Sequence, residues 1–229
     1  MIAVIGDIHG CFYTLIELVD TIRKNYPGIK IYSVGDLVDR GKFSFEVVEF
    51  IKKEKIVFTP GNHDYMFMYF YEQPTSILGN AWIYNGSETT TASYEKRVDK
   101  IPLHLELIKN SSLFLNFKDC FISHAGVSVH YKSKLKKNYP DNLNQLEKII
   151  NNNLTSEHGI LWNRDELVNI GKLQVVGHTR MGEVTFSDVS NAVYIDTSVY
   201  TGNKLSAVIV EDNKVIEIIS KPTLGKDIY

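Results

Sequence analysis

Short apolar runs alternate along the chain with polar, glycine-bearing stretches, and five such pairs share one form. "IAVI" runs into "GDIHG", "KIYSV" into "GDLVDRG", "KIVFTP" into "GNHD", "CFIS" into "HAG" and "LQVV" into "GHT". Runs of this length, rich in Ile and Val, predict buried strands. Glycine gives each a sharp exit and lets backbone come close to a ligand. The period changes after the first two loops. Phe12, Leu15, Ile16, Val19 and Ile22 recur at three and four, which is one face of a helix. Phe45, Val47, Val48, Phe50 and Ile51 predict a second helix, with Ser44 as its cap. Strand, loop, helix, strand is the pattern of an α/β domain. In such sheets ligands gather beyond the carboxyl ends of strands, so the five polar loops are expected to converge on one site.

Residues 65–118 break the alternation. "YMFMYFYEQP" extends as a helix from the "GNHD" loop, and "NAWIYNGSETTTASY" turns at Asn85–Gly86. The expectation is a mainly helical insertion beside the site. Residues 131–159 read as a polar excursion with a short helix. Near the end, "AVYIDTS", "LSAVIV" and "VIEII" predict strands, the last two joined by a turn at Asp212–Asn213. No repeat or linker interrupts the chain, so a single domain spanning 1–229 is expected.

Composition narrows the class. Hydrophobic residues make up 44% and charged ones 23%, ordinary values for a globular protein. The formal net charge is -2, so no strong global field draws the chain to nucleic acid or an anionic membrane. The only two cysteines, Cys11 and Cys120, are far apart and fit neither a disulfide framework nor a thiolate metal site. The opening "MIAVIGDIHG" has no basic stretch and no long apolar run, so it does not read as a signal peptide. A cytoplasmic location is expected.

The loops hold Asp7, His9, Asp36, Asp39, Arg40, Asn62, His63, Asp64, His124 and His178. Oxygen and imidazole ligands suit manganese, iron, zinc or a similar divalent ion. They outnumber the needs of one ion, whereas two metals about 3.5–4 Å apart, bridged by a carboxylate, would use them. Such a pair polarises a phosphoryl oxygen and acidifies a water. Arg40 would hold phosphate oxygens, and His63 is poised to protonate a leaving oxygen. Any one of these loops alone reads as a turn or a cap; all five in one order read as a site.

That order resembles the phosphoprotein phosphatase family of binuclear metallophosphoesterases, over nearly the whole chain. "NAWIYNGS", "LWNRDEL", "VVGHT" and "VYIDTSVYTGNKL" are most similar to the small phosphatases of the bacteriophage lambda and bacterial type. The resemblance implies an αββα sandwich of two mixed sheets flanked by helices. It implies two divalent ions, manganese first, with iron or zinc as alternatives. Asp7 and His9 match ligands of the first metal, Asp36 the bridge, and Asn62, His124 and His178 ligands of the second. His63 matches the general acid with Asp39 as its orienting partner, while Arg40 and Arg164 match phosphate clamps. Asn62 would also reach substrate phosphate.

The activity implied is hydrolysis of phosphate monoesters by a metal-activated hydroxide, most directly a serine/threonine protein phosphatase of possible dual specificity. The partner is then a phosphorylated protein or a small phosphoester. There are three departures from the family pattern. Asp64 stands where eukaryotic members have "GNHE", "HAG" replaces "HGG", and Ser198 replaces the glycine of "IDTG". The first two resemble the diadenosine tetraphosphate hydrolase branch, which makes a dinucleoside polyphosphate hydrolase the alternative. A non-catalytic phosphate-binding module is a weaker alternative, because Asp39 with His63 supplies a general acid that binding alone does not need.

Overall fold

The computed structural model describes residues 1–135 and 144–228. Its strands are β1 (Ile2–Ile5), β2 (Lys30–Ser33), β3 (Val57–Phe58), β4 (Phe114–Asn116), β5 (Phe121–Ser123), β6 (Gln174–Val176), β7 (Thr185–Ser187), β8 (Ala192–Tyr194), β9 (Lys204–Glu211) and β10 (Lys214–Pro222). They form two five-stranded mixed sheets, ordered β10-β9-β1-β2-β3 and β4-β5-β6-β8-β7. In the first, β1, β2 and β3 run parallel and β9 is antiparallel to β1. In the second, β5, β6 and β8 run parallel.

Period-two alternation decides what each face meets. Val4, Val208 and Val210 point between the sheets, where they pack with Ile122, Val175 and Val193. Their neighbours Ala3, Ile5, Ala207 and Ile209 point outward, against the apolar faces of α1 (Phe12–Asn25) and α2 (Ser44–Lys53). On the outer face of the second sheet, Phe121 packs with Leu146 and Ile150 of α7 (Asn144–Asn152). The layers are therefore helix, sheet, sheet, helix. Burial on both faces explains why β1, β5 and β6 read as continuous apolar runs.

The stretch expected to be helical contains α3 (Asn62–Glu72), α4 (Ile77–Ile83), α5 (Ser87–Tyr94) and α6 (Ile101–Lys109), with Gly86 left-handed at the α4–α5 turn. The helix α3 starts inside the "GNHD" motif itself. The turn at Asp212–Asn213 has both residues at positive φ, as a two-residue hairpin between right-twisted strands requires. Of the polar stretch 131–159, residues 136–143 lie outside the described residues. A last short helix, α8 (Gly225–Ile228), folds back so that Asp227 accepts from the Thr14 N–H and hydroxyl at 2.8 and 2.6 Å.

Two expectations need correction. Ser44 does not cap α2; it is the first helical residue, and its hydroxyl accepts the Asp39 N–H at 3.1 Å. The run "KIVFTP" yields only two strand residues. The strands β4 and β7 carry no clear signal, because three partly exposed residues cannot show a periodicity. None of the described helices is long and apolar enough to cross a membrane.

Candidate active site

The exits of β1, β2, β3, β5 and β6 meet at one end of the sandwich, around a cavity of about 260 Å³. Eight of the ten residues to which the resemblance gives a role line it: Asp7, His9, Asp36, Arg40, Asn62, His63, Arg164 and His178. The other two, Asp39 and His124, stand directly behind, against His63 and Asp36. Among the described residues, half of the ten non-glycine residues at positive φ belong to this set: His9, Asp36, Asp39, Arg40 and His178. Such conformations are costly, so backbone strain is concentrated where the loops aim side chains inward.

Two glycines show how tightly the loops are drawn together. A Cβ on Gly61 would lie 2.0 Å from Asp36 Oδ1, and one on Gly177 would lie 1.9 Å from Asp7 Oδ1. Asp64, the departure from "GNHE", is fully buried and ties two loops. Its oxygens accept from Leu37 N–H and Gly61 N–H, both at 2.9 Å. Burial, then the charge of Asp36, pushes its carboxyl up to about 7. Ser198, another of the three departures, keeps a left-handed turn without glycine, its N–H donating to Asp196 Oδ1 at 2.9 Å.

The donor set fits divalent cations. Backbone carbonyls can only accept, so each imidazole nitrogen facing one must carry its proton. His9 Nδ1 donates to Val38 O at 3.0 Å, His124 Nδ1 to Val34 O at 2.9 Å, and His178 Nε2 to Trp162 O at 3.1 Å. The remaining nitrogens of these neutral rings are lone pairs turned into the site. His9 Nε2 and His124 Nε2 both lie 3.5 Å from Asp36 Oδ2. His124 Nε2 and His178 Nδ1 lie 3.0 and 2.9 Å from Asn62 Oδ1.

Lone pairs facing acceptors repel unless a cation lies between them. Burial holds His9 and His178 down to about 3, so both rings stay neutral. Burial, with the charges of Asp196 and Asp36, raises Asp7, a carboxylate with no cationic partner among the described residues. Asp36 is common to two groups whose donor atoms lie within 4.8 Å of one another, one with His9 and His63, the other with Asp7 and His124. Asp36 is the one shared member, as a bridging carboxylate would be, but the groups place Asp7 with His124 and His9 with His63 rather than in the Asp7–His9 pairing that the resemblance implies.

His63 is held differently. Its Nδ1 faces Asp39 Oδ2 at 2.7 Å, which leaves Nε2 toward the cavity. Asp39 is itself fully buried and gripped by the helical stretch. The indole N–H of Trp82 in α4 donates to both of its oxygens at 3.0 and 2.9 Å, and the Thr90 hydroxyl of α5 donates to Oδ1 at 2.7 Å. Burial works against the charge on His63, but Asp36 and the Asp39 hydrogen bond raise its affinity for a proton.

The chain has five arginines. Arg23 pairs with Glu54 at 2.9 Å and Arg97 with Glu46 at 3.2 Å, both far from the cavity. The other three, Arg40, Arg164 and Arg180, all line the cavity, and none has a carboxylate partner among the described residues. Arg40 Nε is buried without a hydrogen-bond partner, and Arg164 has one long contact, 3.4 Å to His178 O. Cations left unpaired by protein around a polar cavity suit an anionic ligand.

Trp82, Thr90, Arg180, Asp196 and Tyr200 are site residues that the sequence reading left unassigned. Asp196 had a usable signal, because it follows β8 as Asp7 follows β1. Arg180 lies two residues past His178 and could have been read with "GHT". Trp82 and Thr90 gave none, since only packing brings them to Asp39.

A sandwich of this kind, with buried carboxylates and imidazoles at the strand ends, defines a metal-dependent hydrolase of phosphoric esters. The sequence profile of the calcineurin-like phosphoesterases matches residues 1–220, and the chain belongs to that family, whose members use a binuclear metal centre. It is 29% identical to the bis(5'-nucleosyl)-tetraphosphatase PrpE [asymmetrical] of Anoxybacillus flavithermus, over 95% of this chain and 93% of that protein. It is 26% identical to serine/threonine-protein phosphatase 1 of Salmonella typhimurium, over 91% of each. The crystal structure of a cold-active protein-tyrosine phosphatase of a psychrophilic Shewanella shares the fold. Its TM-score is 0.63 at 17% identity, covering 97% of this chain and 80% of that one.

Proposed function

We propose that the protein hydrolyses dinucleoside polyphosphates, cleaving asymmetrically, with phosphate monoesters of protein or small molecules as the second reading. This reverses the order suggested by the motifs alone, which put a serine/threonine phosphatase first. The observation that carries it is the third arginine. Two guanidiniums, Arg40 and Arg164, suffice to clamp a single phosphoryl group at the ions. Arg180 adds a cation to the same cavity, and a longer phosphate chain supplies the additional charge. The likeness to tetraphosphatases over nearly the whole chain supports the same choice.

In this reading Asp7, His9 and Asp36 hold one divalent ion, and Asp36, Asn62, His124 and His178 hold another, manganese before iron or zinc. The ions would supply Lewis-acid stabilisation of phosphoryl charge and an acidified water. Arg40 and Arg164 orient the phosphoryl group under attack, with Asn62 contacting an oxygen. His63 presents a proton from Nε2 to the departing oxygen, and Asp39 keeps Nδ1 fixed, so the ring cannot rotate out of line.

The test is kcat/KM for diadenosine tetraphosphate and for a phosphoserine peptide on one manganese-loaded sample. A tenfold preference for the dinucleotide, about 1.4 kcal/mol, with ATP and AMP as products, is expected. Faster turnover of the peptide would restore the protein-phosphatase reading.

A further inference from the structure

We propose that Arg180, positioned by Tyr200, binds the phosphates beyond the one under attack and so sets a preference for phosphate chains over single phosphates. The inference deepens the function proposed above and rests on reading the cavity as the hydrolytic site.

The two residues come from different strand exits. Arg180 follows β6 and Tyr200 follows β8, so neither is placed by the other's local sequence. An Arg180 amino group donates to the Tyr200 hydroxyl at 2.9 Å, and its Cζ lies 5.9 Å from the ring centroid. The Arg40 Cζ lies 5.5 Å from the same centroid. The ring also stands edge-on to His9, centroids 4.9 Å apart. Tyr200 therefore touches a candidate metal ligand and both guanidiniums, and holds Arg180 at a set place relative to the phosphoryl site.

Arg180 uses one N–H on Tyr200, and a guanidinium has five. Among the described residues no carboxylate pairs with it, which leaves the rest of the fork to a ligand. The cations also differ in depth. Arg40 is half-buried, with its Nε fully enclosed, whereas Arg180 and Arg164 are exposed at the mouth. Positive charge thus continues from the floor of the cavity outward, which is where the remainder of a phosphate chain must run. The plainer account is that Arg180 offsets the buried charge of Asp196, whose carboxyl burial pushes up to about 6. A charge-balancing arginine would act on every anionic ligand alike, and the test uses that difference.

The experiment is calorimetric titration of the manganese-loaded protein, at fixed free manganese, with inorganic phosphate and with inorganic tripolyphosphate. The reading is the ratio of the two dissociation constants, in which any general damage to the site cancels. Hydrogen bonds to charged groups predict that Arg180→Gln lowers the preference for tripolyphosphate by about ten- to a hundredfold. Tyr200→Phe, which removes only the hydroxyl, should shift the ratio the same way by less, and Arg180→Lys should recover part of it. An unchanged ratio in Arg180→Gln overturns the proposal, whether both ligands weaken together or neither does. The ratio is a binding quantity, so absence of dinucleotide hydrolysis would refute the proposed function and leave this result interpretable.

Discussion

Trp82→Phe should slow hydrolysis without releasing metal. Trp82 is 2% exposed, and its indole N–H bridges both oxygens of Asp39. Phenylalanine keeps an aromatic ring against Phe67 and Phe70 but removes the donor. A hydrogen bond to a charged group contributes about 1.5–3 kcal/mol, equivalent to roughly ten- to a hundredfold in a rate if all of it is felt at the transition state. Asp39 retains the Thr90 hydroxyl and His63, so the lower end is expected. The ceiling is the whole benefit of a general acid, about 10²–10⁴-fold.

The loss should appear in kcat with little change in KM, because Trp82 reaches no substrate. It should also depend on the leaving group. An alkyl phosphate needs protonation as its oxygen departs, whereas p-nitrophenolate barely does, so the alkyl ester should suffer several times more. Metal content by mass spectrometry should match the parent protein. In the double variant with His63→Asn, Trp82→Phe should cost little more, since residues acting in series are non-additive. Equal loss for both esters, or full additivity with His63→Asn, would refute the chain from Trp82 through Asp39 to His63. Lowered melting temperature alone would not, because the smaller ring leaves a cavity that affects stability rather than leaving-group dependence.

Other outcomes can be checked separately. Asp36→Asn should bind fewer than two divalent ions by mass spectrometry and lose activity, and two tightly held ions would exclude the bridge. Gly177→Ala should displace Asp7, whose Oδ1 would lie 1.9 Å from the new Cβ. The overpacking should cost about 1–3 kcal/mol in chemical unfolding, along with weaker metal retention. His63→Asn should keep its metal and show a loss that shrinks with better leaving groups. A last outcome concerns pH. Burial holds the His104 imidazole below its ordinary value, although Glu49 accepts from its Nε2 at 2.6 Å. The unfolded chain takes up that proton near pH 6.5 or so, the folded chain only at lower pH. Stability should therefore fall as pH drops below about 6.5, and urea midpoints in chelator should show a flatter slope for His104→Leu.

How much of this was legible beforehand follows from how far each signal travels along the chain. β1, β2, β5 and β6 announce themselves because both faces of the sheets are covered, which makes each strand a mostly apolar run leading into a glycine-bearing loop. Asp7, Asp36, His124 and His178 sit within a few residues of those endings, so strand and chemistry were read together. The gripping of Asp39 by Trp82 and Thr90 had no such mark. Those residues lie 43 and 51 positions away, on helices whose packing alone turns an indole and a hydroxyl onto a buried carboxylate. The arginines teach the same lesson about charge. The motifs mark Arg40 and Arg164 but leave Arg180 undistinguished from Arg23 and Arg97, yet folding gives Arg23 and Arg97 carboxylate partners and leaves Arg40, Arg164 and Arg180 facing one cavity. A periodic pattern specifies which residues leave water. Which polar groups then find partners, and which are left for a ligand, depends on contacts between distant segments that no local pattern encodes.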